Sequence, residues 1–217
     1  MAEREIHDHW FKEAKRKGYR SRAAFKLMQI DDRRGVLNKG DQVLDLGCAP
    51  GSWLQVIAER VGPKGCAWGI DLKEVDAGLP DNVNALLGNA EDPKGAGVPT
   101  DFLFDSILSD MMPSTTGSRD TDHFRSVNVC ELAVDLCPHW LKPGGTLVMK
   151  VLEGSAMPQL LADTKKLFGR VKPLKPEASR KESTEIFVIA HDYKGPPEGG
   201  ITESAASAGP PPVPEGW

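Results

Sequence analysis

One stretch of the chain, Gln42 to Trp53, limits the possible folds more than any other. It starts with the apolar run Val-Leu-Asp-Leu, typical of a buried strand, and continues with a turn that contains Gly47, Pro50 and Gly51. A helix is predicted directly after the turn, because apolar residues recur there at helical spacing: Trp53, Val56, Ile57 and Val61. Strand, glycine turn and helix form the first unit of a nucleotide-binding α/β sheet, in which a ligand lies on the turn near the helix N-terminus.

The next two predicted strands each lead into a polar residue. Gly65 to Ile70 has the pattern of a second strand and is followed by Asp71, about 20 residues beyond the glycine turn, where α/β folds bind a ribose diol. A helix cap is the alternative role for Asp71. A third strand, Val83 to Leu87, leads to Asn89, in a polar segment suited to the edge of an adenine. Both side chains are expected at the carboxyl edge of the sheet.

A fourth predicted strand, Phe104 to Leu108, leads to Asp110 at the same edge. Thr146 to Val151 is a strongly apolar fifth strand with Lys150 near its end. Burying an ammonium without a partner is costly, so this lysine stands out as a functional candidate. One helix is predicted before the fifth strand in the sequence and another after it, followed by two further strands at 171–174 and 185–191. The alternation indicates a doubly wound α/β sheet.

Two helices are predicted before the opening stretch. A short basic helix spans His7 to Lys17, and a second helix has Ser21 as its N-cap and ends at Gly35. Lys26 lies beside the apolar face of the second helix, where a lysine usually extends its ammonium to solvent. Solvent exposure is therefore the ordinary expectation for Lys26.

The glycine spacing of the turn argues against a dinucleotide cofactor. The next glycine after Gly47 is Gly51, so the Gly-x-Gly-x-x-Gly fingerprint is absent and a dehydrogenase loses its best support. S-adenosylmethionine has no pyrophosphate and suits a Pro-Gly turn followed by acidic and amide residues at the later strand ends. Asp110 would then face its sulfonium and methyl group.

Basic residues are concentrated in two runs, although the formal net charge of the chain is −4. The first, opposed by the single acid Glu13, contains Lys12, Lys15, Arg16, Lys17, Arg20, Arg22 and Lys26. The second, opposed by the single acid Glu177, contains Lys165, Lys166, Arg170, Lys172, Lys175, Arg180 and Lys181. Charge separated in this way can bind a phosphate backbone while the whole molecule stays acidic. Two solvated faces are the alternative.

Other features narrow the class of protein. No apolar stretch approaches the roughly 20 residues needed to cross a bilayer, and the charged start lacks the apolar segment of a signal peptide. We therefore expect a cytoplasmic protein with no membrane partner. The 4 cysteines form no Cys-x-x-Cys pair and have no histidine at a zinc-ligand interval, so no metal site is predicted and a role as small buried hydrophobes is preferred.

Five motifs, in the right order, make the chain resemble the FtsJ/RrmJ-type (RlmE) ribose 2′-O-methyltransferases of ribosomal RNA. The similarity runs from about Tyr19 to Ala190. The motifs are Tyr-Arg-Ser-Arg-Ala-Ala-Phe-Lys-Leu, Val-Leu-Asp-Leu-Gly-Cys-Ala-Pro-Gly-Ser-Trp, Leu-Ser-Asp-Met-Met-Pro, Leu-Lys-Pro-Gly-Gly-Thr-Leu-Val-Met-Lys and Lys-Pro-Glu-Ala-Ser-Arg-Lys-Glu-Ser-Thr-Glu.

The resemblance implies a Rossmann-like class I S-adenosylmethionine-dependent methyltransferase fold, with a seven-stranded doubly wound sheet whose last strand is antiparallel. It implies a catalytic tetrad, here called the tetrad, at Lys26, Asp110, Lys150 and Glu185. It also implies cofactor contacts at Gly51, Trp53, Asp71, Asn89 and Asp110. Family members often carry Asp at position 89, but Asn still offers a carbonyl acceptor for the adenine amino group.

The activity implied by the resemblance is methylation of a ribose 2′-hydroxyl, of a uridine in large-subunit (23S) ribosomal RNA. Lys150 would take the hydroxyl proton or hold the hydroxyl in line, and these two roles stay open. Both basic runs are expected to form one continuous positive surface for RNA phosphates. The expected partner is ribosomal RNA within the large subunit, bound by a monomer.

Three segments are expected in the chain: a basic helical extension (1–34), the methyltransferase domain (35–194) and a disordered Pro/Gly-rich tail (195–217). Alternatives to the implied activity are a methyltransferase of transfer RNA or of an mRNA cap, which would share the tetrad, and a small-molecule methyltransferase, which has no need of the basic runs. A non-catalytic ribosome-assembly factor that binds RNA is a further alternative, and it would lose the tetrad.

Overall fold

The computed structural model describes residues 2–180 and 182–196, with side chains from residue 9 onward. Within these residues the helices are α1 (Ala2–Lys17), α2 (Ala23–Arg34), α3 (Ser52–Val61), α4 (Arg119–Trp140) and α5 (Met157–Leu167). The strands are β1 (Gln42–Leu46), β2 (Cys66–Asp71), β3 (Val83–Leu87), β4 (Phe104–Ser109), β5 (Leu141–Leu152), β6 (Phe168–Leu174) and β7 (Glu185–Tyr193). Lys181 and the expected disordered tail beyond residue 196 lie outside the described residues.

The strands form one seven-stranded sheet in the order β3-β2-β1-β4-β5-β7-β6. Pairing is parallel from β3 across to β5, whereas β7 runs antiparallel to both β5 and β6. The predicted doubly wound sheet with an antiparallel last strand is thus confirmed.

Helices cover both faces of the sheet. One buried cluster joins α4 and α5 to alternate residues of β5, such as Met149 and Val151. Another joins α2 and α3 to the opposite face, which includes Val148 of β5 and Phe187 of β7. Because successive strand residues point to opposite faces, Lys150 belongs to the face covered by α2 and α3.

Several element boundaries differ from the predicted ones. The first helix begins at Ala2 rather than His7, and β5 begins at Leu141 rather than Thr146. The N-cap of α2 is Arg22, while Ser21 precedes it and shares a 2.6 Å hydrogen bond with Ser52. Gly35 ends α2 in the left-handed conformation, as predicted.

The segment after β4 is held in place by the first turn of α4. Asp122 accepts hydrogen bonds from the backbone and hydroxyl of Thr116, at 2.6 and 2.9 Å, and from the Gly117 amide at 3.2 Å. The polar composition of 114–120 is by itself typical of a flexible loop. The contacts come from a carboxylate beyond that loop, which local composition does not reveal. Within the described residues, no helix is long and apolar enough to span a membrane.

Candidate active site

Two lysine–carboxylate pairs lie at the carboxyl ends of β4 and β5. The Nζ atom of Lys150 is 2.8 Å from Oδ1 of Asp110 and donates to the Asp110 carbonyl at 2.6 Å. The Nζ atom of Lys26 is 2.6 Å from Oε1 of Glu185. Both lysines are only 7% exposed. The expectation of a solvent-exposed Lys26 is therefore wrong, because Glu185 supplies a charged partner in the interior.

The register between β5 and β7 brings the two pairs to the same face of the sheet. Lys150 is opposite Phe187, and Leu152 is opposite Glu185. Opposed residues of antiparallel strands point to one face, so Lys150, Phe187 and Glu185 all point toward α2. The ammonium of Lys26, on α2, is 5.8 Å from the centroid of the Phe187 ring. The four predicted tetrad residues thus converge from α2, β5, β7 and the end of β4.

Glu185 is the most heavily supported carboxylate of the tetrad. Its Oε1 atom accepts from the Ser179 hydroxyl at 2.6 Å as well as from Lys26. Burial acts to raise the pKa of Glu185, but the Lys26 ammonium, the Ser179 hydroxyl and the charge of Lys150 together lower it below its ordinary value. Glu185 is therefore held as a carboxylate beside Lys26.

The glycine turn, Gly47 to Gly51, has the backbone geometry of a ligand cradle. Its two glycines have φ of +76° and +98°, in the left-handed region that favours glycine. A Cβ at Gly47 would lie 2.5 Å from Cγ of Met111. Gly51 is the N-cap of α3 and has no side chain, so no side-chain cap hydrogen bond is made to the amides of the first helical turn.

Asp71 ties the end of β2 to the glycine turn. Its Oδ2 atom accepts from the Ala49 amide at 2.9 Å, and its Oδ1 atom accepts from the Lys73 amide at 2.8 Å. No helix follows Asp71 before β3, so the alternative role as a helix cap does not apply. Each carboxylate oxygen can accept a second hydrogen bond, which leaves capacity for a ribose diol.

Asn89 and Trp53 differ in what they can offer a cofactor. Asn89 is exposed, with Oδ1 accepting from the Glu91 amide at 3.0 Å, and it keeps one carbonyl lone pair for an adenine amino group. Trp53 is 3% exposed and its indole N–H donates to the Ala23 carbonyl at 2.9 Å. Its side chain is part of the core, so a cofactor contact at Trp53 would use the backbone amide.

Asp45 is a candidate that the sequence reasoning missed. It lies on β1 just before the glycine turn, is 0% exposed, and neither oxygen has a hydrogen-bond partner among the described residues. Burial raises its pKa well above the ordinary value, and the neighbouring Asp110 and Asp71 raise it further. The available signal was the single carboxylate inside the apolar run Val-Leu-Asp-Leu.

The acidic residues around the turn decide which cofactor chemistry fits. Asp71 is hydrogen-bonded to the turn through the Ala49 amide, and Asp110 directly precedes Met111, which lies against Gly47. A pyrophosphate would be repelled there, whereas a ligand with a sulfonium and an ammonium group would be stabilised. The first-turn amides of α3 offer a separate place for a carboxylate. The donor set therefore fits S-adenosylmethionine.

The N-terminal basic run separates into residues with different environments. Its exposed members include Lys15, Arg16 and Lys17, and the last two pair with Glu13 at 2.5 and 3.5 Å. Lys26 belongs to the tetrad. Ala14 of α1 shares a buried cluster with Phe25 and Ala178, which brings the helix close to the segment between β6 and β7. Burial and the charge of nearby Arg180 lower the pKa of the Arg22 guanidinium, while Glu185 opposes the change.

The second basic run is divided between the two edges of the sheet. Lys165 and Lys166 lie just before β6. The first residue of β6, Phe168, pairs with Tyr193, the last residue of β7, whereas Glu185 is the first residue of β7. Arg170 lies near that same edge and pairs with Asp192. Lys175 and Arg180, by contrast, lie in the segment that leads to Glu185. The expectation of one continuous surface is thus wrong for 165–170, because topology separates residues that are adjacent in sequence.

Comparison with known proteins shows which family and fold this chain shares. The chain is 45% identical over 186 residues to the ribosomal RNA large subunit methyltransferase E of Syntrophobacter fumaroxidans, covering 85% of this chain and 94% of that protein. A crystal structure described as a ribosomal RNA methyltransferase from Plasmodium falciparum has a TM-score of 0.73 and 32% identity, covering 82% of this chain and 100% of that chain.

Aeropyrum pernix fibrillarin with bound S-adenosyl-L-methionine shares the fold, with a TM-score of 0.52 and 16% identity, covering 77% of this chain and 73% of that chain. The family model described as FtsJ-like methyltransferase matches residues 19–193, a range that includes all the tetrad positions. The chain belongs to the FtsJ-like methyltransferase family.

Proposed function

We propose that this protein methylates a ribose 2′-hydroxyl of large-subunit ribosomal RNA, with S-adenosylmethionine as methyl donor and a uridine as the target. The observation that carries the proposal is the convergence of two buried lysine–carboxylate pairs beside a glycine turn to which Asp71 is hydrogen-bonded. Family membership and the names of the relatives, which specify the large ribosomal subunit, support the substrate.

S-adenosylmethionine, when bound, supplies an electrophilic methyl group. Gly51 and Trp53 would hold it through backbone at the start of α3, Asp71 through its carboxylate, and Asn89 through its amide. Asp110 is shared between the cofactor side and the tetrad. These assignments are supported by the open lone pairs and helix N-terminus described above.

The protein's part in the chemistry is to align the hydroxyl and to manage its proton. Holding the ribose hydroxyl in line with the methyl group lowers the activation free energy of the displacement substantially. Lys150, restrained by both the carboxylate and the carbonyl of Asp110, is the group we assign to the ribose hydroxyl. Lys26 and Glu185 add a second cation–anion pair on the same face, which fixes the position of charge around that hydroxyl.

The two open roles of Lys150 make different demands on its charge. A base must reach the hydroxyl as a neutral amine, whereas an orienting group acts as the ammonium. A nearby carboxylate favours the ammonium. A pH–rate profile with a rising limb that disappears in Lys150→Arg would identify a base, and a profile with an unchanged limb would identify an orienting charge.

RNA is proposed to bind across α1 and the segment that carries Lys175 and Arg180. The exposed basic end of α1 and this segment are linked by the buried cluster of Ala14, Phe25 and Ala178. Residues 1–34 are accordingly proposed to be a helical extension of the 35–194 domain. The monomeric state and the cytoplasmic location stay predictions.

The decisive experiment combines substrate mapping with one matched pair of variants. Purified protein is incubated with labelled S-adenosylmethionine and with free ribosomal RNA, isolated large subunits or transfer RNA, and the labelled ribose is mapped. Lys150→Ala is expected to abolish transfer while cofactor affinity is retained. Lys142→Ala, on the same strand but paired with Asp105 at the other edge, is expected to leave transfer unchanged. Label in transfer RNA alone, or near-normal turnover of Lys150→Ala, would refute the proposal.

A further inference from the structure

The linker between α1 and α2 is fastened to α3, the helix that follows the glycine turn. Gln55 donates to the Gly18 carbonyl at 3.0 Å and accepts from the Arg20 amide at 3.0 Å. One residue further on, the Ser21 and Ser52 hydroxyls are 2.6 Å apart. The backbone of the linker is thus fixed relative to the start of α3.

From this fixed backbone the Arg20 side chain reaches two separate segments. Its Nη1 atom donates to the Pro50 carbonyl at 2.9 Å, and its Nη2 atom donates to the Asp76 and Ala77 carbonyls, each at 2.8 Å. Pro50 belongs to the glycine turn, and residues 76 and 77 belong to the segment that follows Asp71. Arg20 therefore bridges the turn to the segment after β2.

The bridge closes directly around Gly51. A Cβ at this position would lie 2.9 Å from Val75, 3.2 Å from Nη1 of Arg20 and 3.3 Å from Leu79. Asp71 ties the same two segments together from the other side, through its hydrogen bond from Ala49. The relative position of the turn and the ribose-binding acid thus depends on Arg20 and Asp71 together.

Only an arginine can make this set of contacts. Its planar guanidinium donates in two directions at once, whereas a lysine ammonium at the same place cannot match three carbonyls arranged in a fork. Three of the five guanidinium N–H donors, including both on Nη2, are directed to these carbonyls and are therefore not free for an RNA phosphate. Because its neighbours in sequence are basic, Arg20 was expected to be one of the RNA-binding cations. In the structure its guanidinium donates to backbone carbonyls instead.

We propose that Arg20 is a positioning residue for cofactor binding, which holds the glycine turn at the correct place relative to Asp71, and that it is not a phosphate contact. This inference rests on the proposed function, because S-adenosylmethionine is the ligand assigned to the turn. It separates Arg20 from an exposed cation of α1 such as Arg16, whose side chain pairs with Glu13.

Three variants test the inference: Arg20→Lys retains the charge, Arg20→Gln removes it, and Arg16→Lys is the matched control on α1. Calorimetric titration with S-adenosylmethionine is expected to give a dissociation constant raised about tenfold or more in both Arg20 variants, since charge-assisted hydrogen bonds are lost. Affinity for a ribosomal RNA fragment at constant salt is expected to stay within about twofold for Arg20→Lys. The Arg16 variant is expected to match the parent in both measurements.

Hydrogen exchange of the cofactor-free proteins supplies a readout that does not depend on ligand. Amides of residues 72–79 are expected to exchange faster in both Arg20 variants and at the parental rate in Arg16→Lys. Parental cofactor affinity or parental exchange in Arg20→Lys would overturn the inference, as would a loss of RNA affinity without loss of cofactor affinity. Failure of the parent protein itself to bind S-adenosylmethionine would instead refute the proposed function, and the exchange experiment would still decide whether the bridge exists.

Discussion

Replacing Glu185 with glutamine tests whether charge holds the Lys26–Glu185 pair together in the interior. Glu185→Gln keeps the shape of the side chain, and its amide oxygen can still accept from the Ser179 hydroxyl. The Lys26 ammonium, however, loses the carboxylate at 2.6 Å. The two side chains are only 8% and 13% exposed, so water cannot easily replace the lost partner.

The size of the effect follows from this burial. Removing one partner of a buried ion pair costs about 3–5 kcal/mol, because the other charge is left uncompensated. Since the pair is not completely enclosed, the lower end of that range applies, about 3 kcal/mol. For a chain of this length each kcal/mol lowers the melting temperature by about 2–4 °C, so a fall of about 6–12 °C is expected.

The effect also has a definite pH dependence. Although burial opposes it, the interactions with Lys26, Ser179 and Lys150 leave the pKa of Glu185 below its ordinary value of 4.5. A depressed carboxyl pKa stabilises the folded state above the unfolded pKa, and this contribution is lost as the pH falls through the folded pKa. The difference between parent and variant is therefore full at pH 7 and narrows below about pH 4.5.

Denaturant unfolding at neutral and acidic pH measures both quantities. Asp192→Asn is the matched control, because Asp192 forms a 2.6 Å pair with Arg170 on the surface and asparagine tolerates its φ of 61°. Its side chain is 53% exposed, so a much smaller loss is expected. If Glu185→Gln costs no more than this control, or if its cost does not narrow in acid, the reasoning from the buried pair is refuted.

Three further predictions concern the RNA surface, the buried acid and the glycine turn. The first variant replaces three exposed cations at the end of α1 with alanine: Lys15, Arg16 and Lys17. In a filter-binding assay its affinity for RNA is expected to fall to a similar extent for RNAs of different sequence, with a shallower salt dependence. Replacing the exposed Lys64 with alanine is the control and is expected to leave RNA affinity unchanged. Because burial raises the pKa of Asp45, the parent protein loses stability as the pH rises above the pKa of this carboxyl in the unfolded state. Asp45→Asn removes this ionisable group and is expected to be more stable than the parent at pH 8 in denaturant unfolding. The difference in stability is expected to shrink toward pH 4. Gly47→Ala places a Cβ 2.5 Å from Cγ of Met111 and is expected to lower the affinity for S-adenosylmethionine in a calorimetric titration. Gly144→Ala is the control, because Gly144 has a similar φ of +83° but open space around the added Cβ. This control is expected to show backbone strain alone and to keep its cofactor affinity.

Sequence patterns were sufficient for the parts of the fold set by local periodicity. The strand at Val83–Leu87 begins and ends where predicted, and the apolar face of α3 is buried as its spacing indicated. Lys150 stood out on physical grounds alone, since a lysine in an apolar strand requires a partner. Asp110 provides that partner from the end of the neighbouring strand, as expected for residues at one edge of a sheet.

Contacts between distant segments account for what sequence could not predict. Arg20 was grouped with its basic neighbours, but its guanidinium donates to carbonyls 30 to 57 residues away. The second basic run was taken as a unit, but Arg170 and Arg180 lie toward opposite edges because β6 runs between them. In both cases the sequence identifies the charged residues, but where each charge lies depends on the three-dimensional path of the chain.

The reversed direction of β7 is what makes the site possible. In parallel strands the residues that meet at the carboxyl edge all come from strand ends, as Asp110 and Lys150 do. Because β7 is antiparallel to β5, its first residue, Glu185, reaches that edge instead. The segment that precedes Glu185 must then pass over the same edge, where Ala178 packs against α1 and α2 and Ser179 contacts Glu185. A single strand reversal thus places Glu185 beside Lys26 and brings the segment before it, through Ala178, into a buried cluster with α1 and α2.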